Sequence, residues 1–254
     1  MTSHPPSPYT GDREQSVRAG KAARENVPLK QHATFTPARN RDPIGLLEQQ
    51  ARTRIPELVP VRYGRMLASP FSFLRGAALP MAADLATTAT TSLTVQLCGD
   101  AHLANFGGFG SPERHLVFDV NDFDETLPGP FEWDVKRLAA SLNVAGRVNG
   151  FTPDQAGHAA NAAVTEYREA MRRFATMSTL DVWYSHLDVA DAVAQLDKTT
   201  RKLARKSLAN VRDSDGRHEL DKLTKTVNGQ REIISEPPLI VPIEDLAEEL
   251  DVAA

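Results

Sequence analysis

The sequence predicts an α+β protein, mainly helical with a small β-hairpin platform, on three observations. Apolar residues recur at helical spacing on both sides of a central segment. Within that segment, short runs such as Leu93-Thr94-Val95-Gln96-Leu97 alternate as a half-buried strand does. Near the C-terminus, Asn228-Gly229 stands between two β-capable runs, the strongest short hairpin signal a sequence offers.

Taken in order, residues 1–40 are polar, Pro-containing and aperiodic, and read as a disordered leader that cannot offset its ordering entropy by burial. Asp42-Pro43 is an N-cap followed by Pro at the first helical position, opening a helix that Ile55-Pro56 ends. Tyr63 to Leu85 has helical spacing after Pro70, with a kink or break expected at Pro80. The Leu93–Leu97 strand runs into Gly99-Asp100. Phe106–Phe109 and Leu116–Val120 form a hairpin across Gly110-Ser111-Pro112, and Pro128-Gly129-Pro130 separates it from a helix over Trp133–Val148 that Gly150 closes. Thr152-Pro153-Asp154 starts a further helix to about Met177, with Ala160, Ala163, Val164, Tyr167, Met171 and Phe174 expected buried. One more amphipathic helix is expected over Val189–Val211, and the acidic C-terminal residues are expected to fray. Trp133, Trp183 and Tyr184 are expected to pack. Residues 41–254 are read as one lobe.

The 254 residues are 41% hydrophobic and 24% charged, enough for a sizeable core. A net charge of -4 supplies no global attraction to nucleic acid or an anionic membrane, so neither is expected as a partner. Cys98 is the one cysteine, which excludes an intrachain disulfide and a zinc site built on several cysteines, and suits a reducing cytoplasm. No run of roughly 18 apolar residues occurs.

The chemistry concentrates in Gly99-Asp100-Ala101-His102-Leu103-Ala104-Asn105 and in Asn121-Asp122-Phe123-Asp124-Glu125. Both follow strands, which brings Asp100, Asn105 and Asp122 toward one edge. Phosphoryl transfer needs a carboxylate to orient an acceptor hydroxyl and oxygen ligands for magnesium. Asp100 fits the first role. An amide oxygen from Asn105 and a carboxylate from Asp122, with Asp124 as a second carboxylate, fit Mg2+, a hard cation that keeps several waters.

These segments resemble known families. Cys98 to Asn105 is similar to the His-Gly-Asp-x-His-x-x-Asn loop of aminoglycoside and choline kinases, and Asp122-Phe123-Asp124 to their metal-binding Asp segment. Trp133-Asp134-Val135 resembles their aromatic-Asp-Leu helix start, which implies a structural role for Asp134. A closer resemblance covers nearly the whole chain. Arg62 to Met66, Ser69-Pro70-Phe71, Cys98 to Gly108 and Phe118 to Leu138 look like the bacterial family catalogued as domain of unknown function 2252. The resemblances imply a protein-kinase-like C-terminal-lobe architecture, ATP as nucleotide, and a hydroxyl-bearing small molecule as substrate. Cys98 stands where the kinases have His. No Gly-rich loop and no strand-borne Lys precede Asp100. The resemblance places those parts after the point where this chain stops, so the lobe is expected to be incomplete, or completed by a separate chain that supplies the nucleotide-binding part.

Other residues carry second readings. His102 is a candidate proton shuttle beside Asp100, or a scaffold residue. Arg75, in an apolar helical stretch, is a candidate contact for the cofactor's phosphates, or a buried guanidinium that needs an acidic partner such as one near Asp122. The carboxylates 119–134 could instead hold two metals for phosphoester hydrolysis. A non-catalytic binding or assembly module is the reading from another class. Lys198, Arg201, Lys202, Arg205 and Lys206 form a solvated basic face, and Cys98 reads as a small core residue rather than a nucleophile.

Overall fold

Alternation dictates the first strand: in β1 (Thr94–Leu97) Val95 is half-buried and Leu97 buried, while Thr94 and Gln96 face outward. The structure is a computed structural model that describes residues 13–113, 115–213, 220 and 222–246. The first twelve residues of the expected leader and the acidic residues 247–254 lie outside this description.

The helices in chain order are α1 (Arg13–Asn26), α2 (Pro43–Ala51), α3 (Leu58–Met66), α4 (Pro70–Arg75), α5 (Ala78–Leu85), α6 (Glu132–Val148), α7 (Pro153–Phe174), α8 (Thr179–Trp183), α9 (Val189–Ala194) and α10 (Lys198–Asp213). The remaining strands are β2 (Phe106–Gly110), β3 (Leu116–Val120), β4 (Leu127–Pro130), β5 (Thr224–Val227) and β6 (Gln230–Ile233). They pair as three two-stranded ladders, β1 with β4, β2 with β3 and β5 with β6. The mixture of helix and small sheets is the α+β class expected.

The chain divides into two compact units. The first holds the chain up to Gln50, Arg65–Gly107 and Val120–Trp183. Here β1 and β4 run antiparallel from Thr94↔Pro130 to Leu97↔Leu127. Pro128-Gly129-Pro130, read from sequence as a break, is itself the strand, because a two-stranded ladder is all edge and an edge tolerates Pro. A Cβ at Gly129 would stand 2.6 Å from Leu97 Cδ1, so any larger residue there would displace that buried side chain. Pro80 brings no kink. It sits in the first turn of α5, where its missing N–H has no intrahelical partner to lose.

Helix α7 begins at a capping box: Thr152 Oγ1 accepts from Gln155 N at 3.2 Å and Gln155 Oε1 accepts from Thr152 N at 2.9 Å. It packs along α6, with buried Ala156 against Gly146 and Tyr167 stacked on Phe131 at 6.5 Å. A helix resting on one neighbour buries a narrow stripe. Ala160, Ala163 and Phe174 are therefore half-buried, whereas Val164 and Met171, off that stripe, are exposed. Trp183 is also exposed rather than packed, at 82%. Within the stretch read as a leader, α1 forms from Arg13 onward with Ala23 buried.

The second unit holds Ala51–Gly64, Gly108–Asp119 and the chain from Tyr184 onward. Val117 bridges to Asp188, and Asp188 caps α9. The single helix expected over Val189–Val211 is two, because Asp197 Oδ1 accepts from Thr199 N at 2.9 Å and Thr200 N at 3.1 Å and so starts α10 afresh. The β5–β6 hairpin turns on Asn228 (φ 51) and Gly229 (φ 82), the left-handed pair its sequence calls for. Tyr184 is exposed. No helix among the described residues is long and apolar enough to cross a membrane.

Thr152→Ala removes the hydroxyl of the capping box and is expected to lower stability by about 1 kcal/mol, read as a lower urea midpoint at unchanged slope.

Candidate functional site

Three polar side chains at helical spacing on α6, Asp134, Arg137 and Ser141, lie on one stripe and all turn to the loop that follows β1. Asp134, in the first turn, accepts from Cys98 N at 2.7 Å and Gly99 N at 3.1 Å. One turn on, Arg137 Nε donates to Asp100 Oδ1 at 2.5 Å, and its Nη2 also pairs with that oxygen. A further turn on, Ser141 Oγ accepts from Leu103 N at 2.9 Å while donating to Leu138 O at 2.7 Å.

The loop also ties itself. Asp100 O accepts from His102 N at 2.7 Å and from Asn105 Nδ2 at 2.9 Å, and Asn105 N donates to His102 O at 2.9 Å as the chain makes a 3-10 turn. Gly99 has φ +85, and a Cβ there would lie 2.0 Å from Glu125 O, so no other residue fits where the loop crosses the 122–125 turn. Asn121 N donates to Asn105 O at 2.8 Å, and Cys98 Sγ contacts Asp122 O at 3.6 Å, so the second segment is held alongside the first.

Each residue singled out from sequence can now be placed. Asp100 is 8% exposed, its carboxylate turned inward to Arg137, itself 2% exposed. His102 is buried with Nε2 3.5 Å from Asp100 Oδ2, its ring edge-on to Phe71 at 6.4 Å, and its Nδ1 without a hydrogen-bond partner among the described residues. Burial lowers the His102 pKa, with Arg137 and Arg75 adding to that against Asp100, so the imidazole is neutral near pH 7 and its approach to Asp100 is not an ion pair. Asn105 is half-buried. Asp122 and Asp124 are exposed in the turn before β4, where Asp122 Oδ1 accepts from Asp124 N at 3.1 Å. Arg75 is exposed at the end of α4, near enough to act on His102.

The arginine buried against an acid is therefore Arg137, not Arg75. The sequence reading passed over it, although Asp134, Arg137 and Ser141 interrupt an apolar helix face at i, i+3 and i+7, a spacing that marks polar groups with buried partners.

The acidic groups of the two segments act on one another. Burial raises the Glu125 pKa, and the carboxylates of Asp100, Asp122 and Asp124 raise it further. Burial likewise pushes the Cys98 thiol up to about 11, with Asp134, Asp100 and Asp122 adding to it. Asp134 is raised by burial despite its two N–H donors and Arg137. Among the described residues no three or more His, Cys, Asp or Glu side chains are placed to hold a metal ion. Oxygen donors are nonetheless present: the Nδ2 bond to Asp100 O leaves Oδ1 as the acceptor end of the Asn105 amide, and the segment that carries exposed Asp122 is tied to Asn105 through Asn121 N. A carboxylate and an amide oxygen are a donor set for a hard cation that retains waters.

A family model described as "Uncharacterized protein conserved in bacteria (DUF2252)" matches residues 54–253. No curated protein and no solved structure matches the chain.

Arg137→Ala would leave a buried carboxylate unpaired and is expected to cost about 3–5 kcal/mol in urea unfolding. Combining Arg137→Met with Asp100→Asn should recover a large part of that loss, a coupling that a double-mutant cycle reads directly. Because thiolate is the reactive form, native Cys98 should alkylate with a midpoint near pH 11, against 9.0 for an unperturbed thiol. At pH ~8 the folded chain should react roughly a hundredfold more slowly with iodoacetamide than the urea-unfolded chain.

Proposed function

We propose, from the premise that this chain belongs to the bacterial family of domain of unknown function 2252, that residues 98–124 form the acceptor- and cation-binding segment of a kinase-like phosphotransferase acting on a hydroxyl-bearing small molecule. The observation that supports the reading is that the loop bearing Asp100 and Asn105 is tied to the segment bearing Asp122, with Asn121 N donating to Asn105 O and Cys98 Sγ contacting Asp122 O. Phosphoryl transfer asks a protein for placement and charge more than for covalent chemistry, and a loop pinned at Cys98, Gly99, Asp100 and Leu103 by one helix is a rigid means of placement.

In this reading Asp100 orients the acceptor hydroxyl through Oδ2 while Arg137 holds Oδ1. Neutral His102 supports that carboxylate and offers a path for the proton. Asn105 and Asp122 would hold Mg2+, with Asp124 as a further ligand. Magnesium would neutralise phosphate charge there. Exposed Arg75 is a cation available to a phosphate near His102. ATP as the nucleotide rests on the resemblance of the loop to aminoglycoside and choline kinases. Its Gly-rich cradle and Lys strand would come from a further segment of longer relatives or from a separate chain, and a reducing cytoplasm suits the single thiol.

Thermal-shift titration tests the cation half without requiring turnover. Mg2+ is expected to raise the melting temperature of the chain by about 2 °C or more, and ATP to add to this only when Mg2+ is present. The Asn105→Ala, Asp122→Ala double variant should lose the Mg2+ response. A response of equal size in that variant, or none in the unsubstituted chain, rejects the reading.

A further inference from the structure

Within the first unit, α4, α5, α6 and the segment 32–43 line a cavity of about 570 Å³. Its wall is mainly apolar, formed by Phe35, Phe73, Leu74, Met81, Leu85 and Val144, and its size is that of a small-molecule site. The helical walls lie inside the family-matched residues 54–253, whereas the segment that completes the cavity precedes them. Arg41 fastens that segment to α5, donating through Nε and Nη2 to the two Asp84 carboxylate oxygens at 2.7 and 2.8 Å.

The class of ligand follows from the charges of the wall and from one polar atom. Each Arg, Lys and Asp of the lining is balanced from within the protein. Arg41 pairs with Asp84 and Arg137 with Asp100. Lys136 donates to Thr88 Oγ1 at 3.1 Å and feels the buried Glu132 carboxylate one turn earlier. A charged ligand would give up its hydration here without meeting an unmatched counter-charge, so the wall suits a neutral one. The unmet group is His32. It lines the cavity half-buried, and its Nδ1 is buried with no hydrogen-bond partner among the described residues. A buried polar atom left in that state is costly. A hydroxyl both donates and accepts, so it meets Nδ1 with or without its proton. Carried on an apolar body, it would also cover the apolar wall, which water alone does not do.

We propose that this cavity binds a neutral small molecule carrying a hydroxyl on an apolar body, the hydroxyl bonded to His32 Nδ1 and the body laid along the apolar wall. Asp100, Asn105 and Asp122 do not line the cavity, so the inference stands whether or not their segment binds a cation.

Isothermal titration of the chain with 1-octanol, and with octanoate and octylammonium as its charged counterparts, tests the inference. Octanol is expected to bind saturably and about tenfold more tightly than either ion. His32→Leu keeps an apolar side chain but removes the nitrogen, and should weaken octanol about fivefold. His32→Asn, whose amide can take the place of Nδ1, should keep most of the affinity. The inference is overturned if octanol shows no saturable binding, if either ion binds as tightly, if His32→Leu binds octanol as well as the unsubstituted chain, or if His32→Asn loses as much as His32→Leu.

Discussion

The site depends on one buried ion pair. Taking Arg137 and Asp100 out of water costs several kcal/mol per ion, and their attraction repays it only when the remaining donors are also met. They are met: Arg137 Nη2 donates to Leu74 O at 3.0 Å, and its Nη1 contacts Met81 Sδ at 3.3 Å. One guanidinium thus joins the end of α4, the middle of α5 and the loop after β1 to the helix that carries it. Asp134 and Ser141 extend the same hold one turn in each direction. The loop's geometry is consequently shared between α6 and the loop's own bonds from His102 N and Asn105 Nδ2 to Asp100 O.

That arrangement gathers negative charge at a cost. Asp134, Glu125 and Cys98 all take up protons more readily than usual, and burial is the first cause for each. Asp100 is buried and balanced by Arg137, whereas Asp122 and Asp124 keep their charges in solvent at the turn before β4. Glu125, partly desolvated, feels all three carboxylates.

Much of the fold was legible because it follows period and punctuation. Leu93–Leu97 alternates, Asn228-Gly229 supplies two positive-φ residues, and Thr152-Pro153-Asp154-Gln155 writes out a capping box. What was not legible depends on neighbours. Pro128-Gly129-Pro130 reads as punctuation until β1 is laid beside it and Leu97 fills the space over Gly129. The break at Asp197 was present as a capping residue ahead of Thr199 and Thr200, but the apolar period across it masked the signal. In the site, the order Asp100, Asn105, Asp122 marked two segments that the structure joins by hydrogen bonds, whereas the inward turn of Asp100 could not be foreseen without its partner. Arg137 lies 37 residues away in sequence, and its spacing with Asp134 and Ser141 marks a polar stripe on α6 without naming the partner.

Arg137 also faces two ways. Through Nε it fixes Asp100, while its guanidinium also lines, with the adjacent Lys136, an apolar cavity of the first unit. The two basic neighbours are balanced differently: Arg137 pairs directly with Asp100, whereas Lys136 donates to Thr88 Oγ1 and feels the buried Glu132 carboxylate one turn earlier. The hold of α6 on the loop therefore rests on Arg137 and not on its neighbour, and it reaches Asp100 but neither the Asn105 nor the Asp122 side chain.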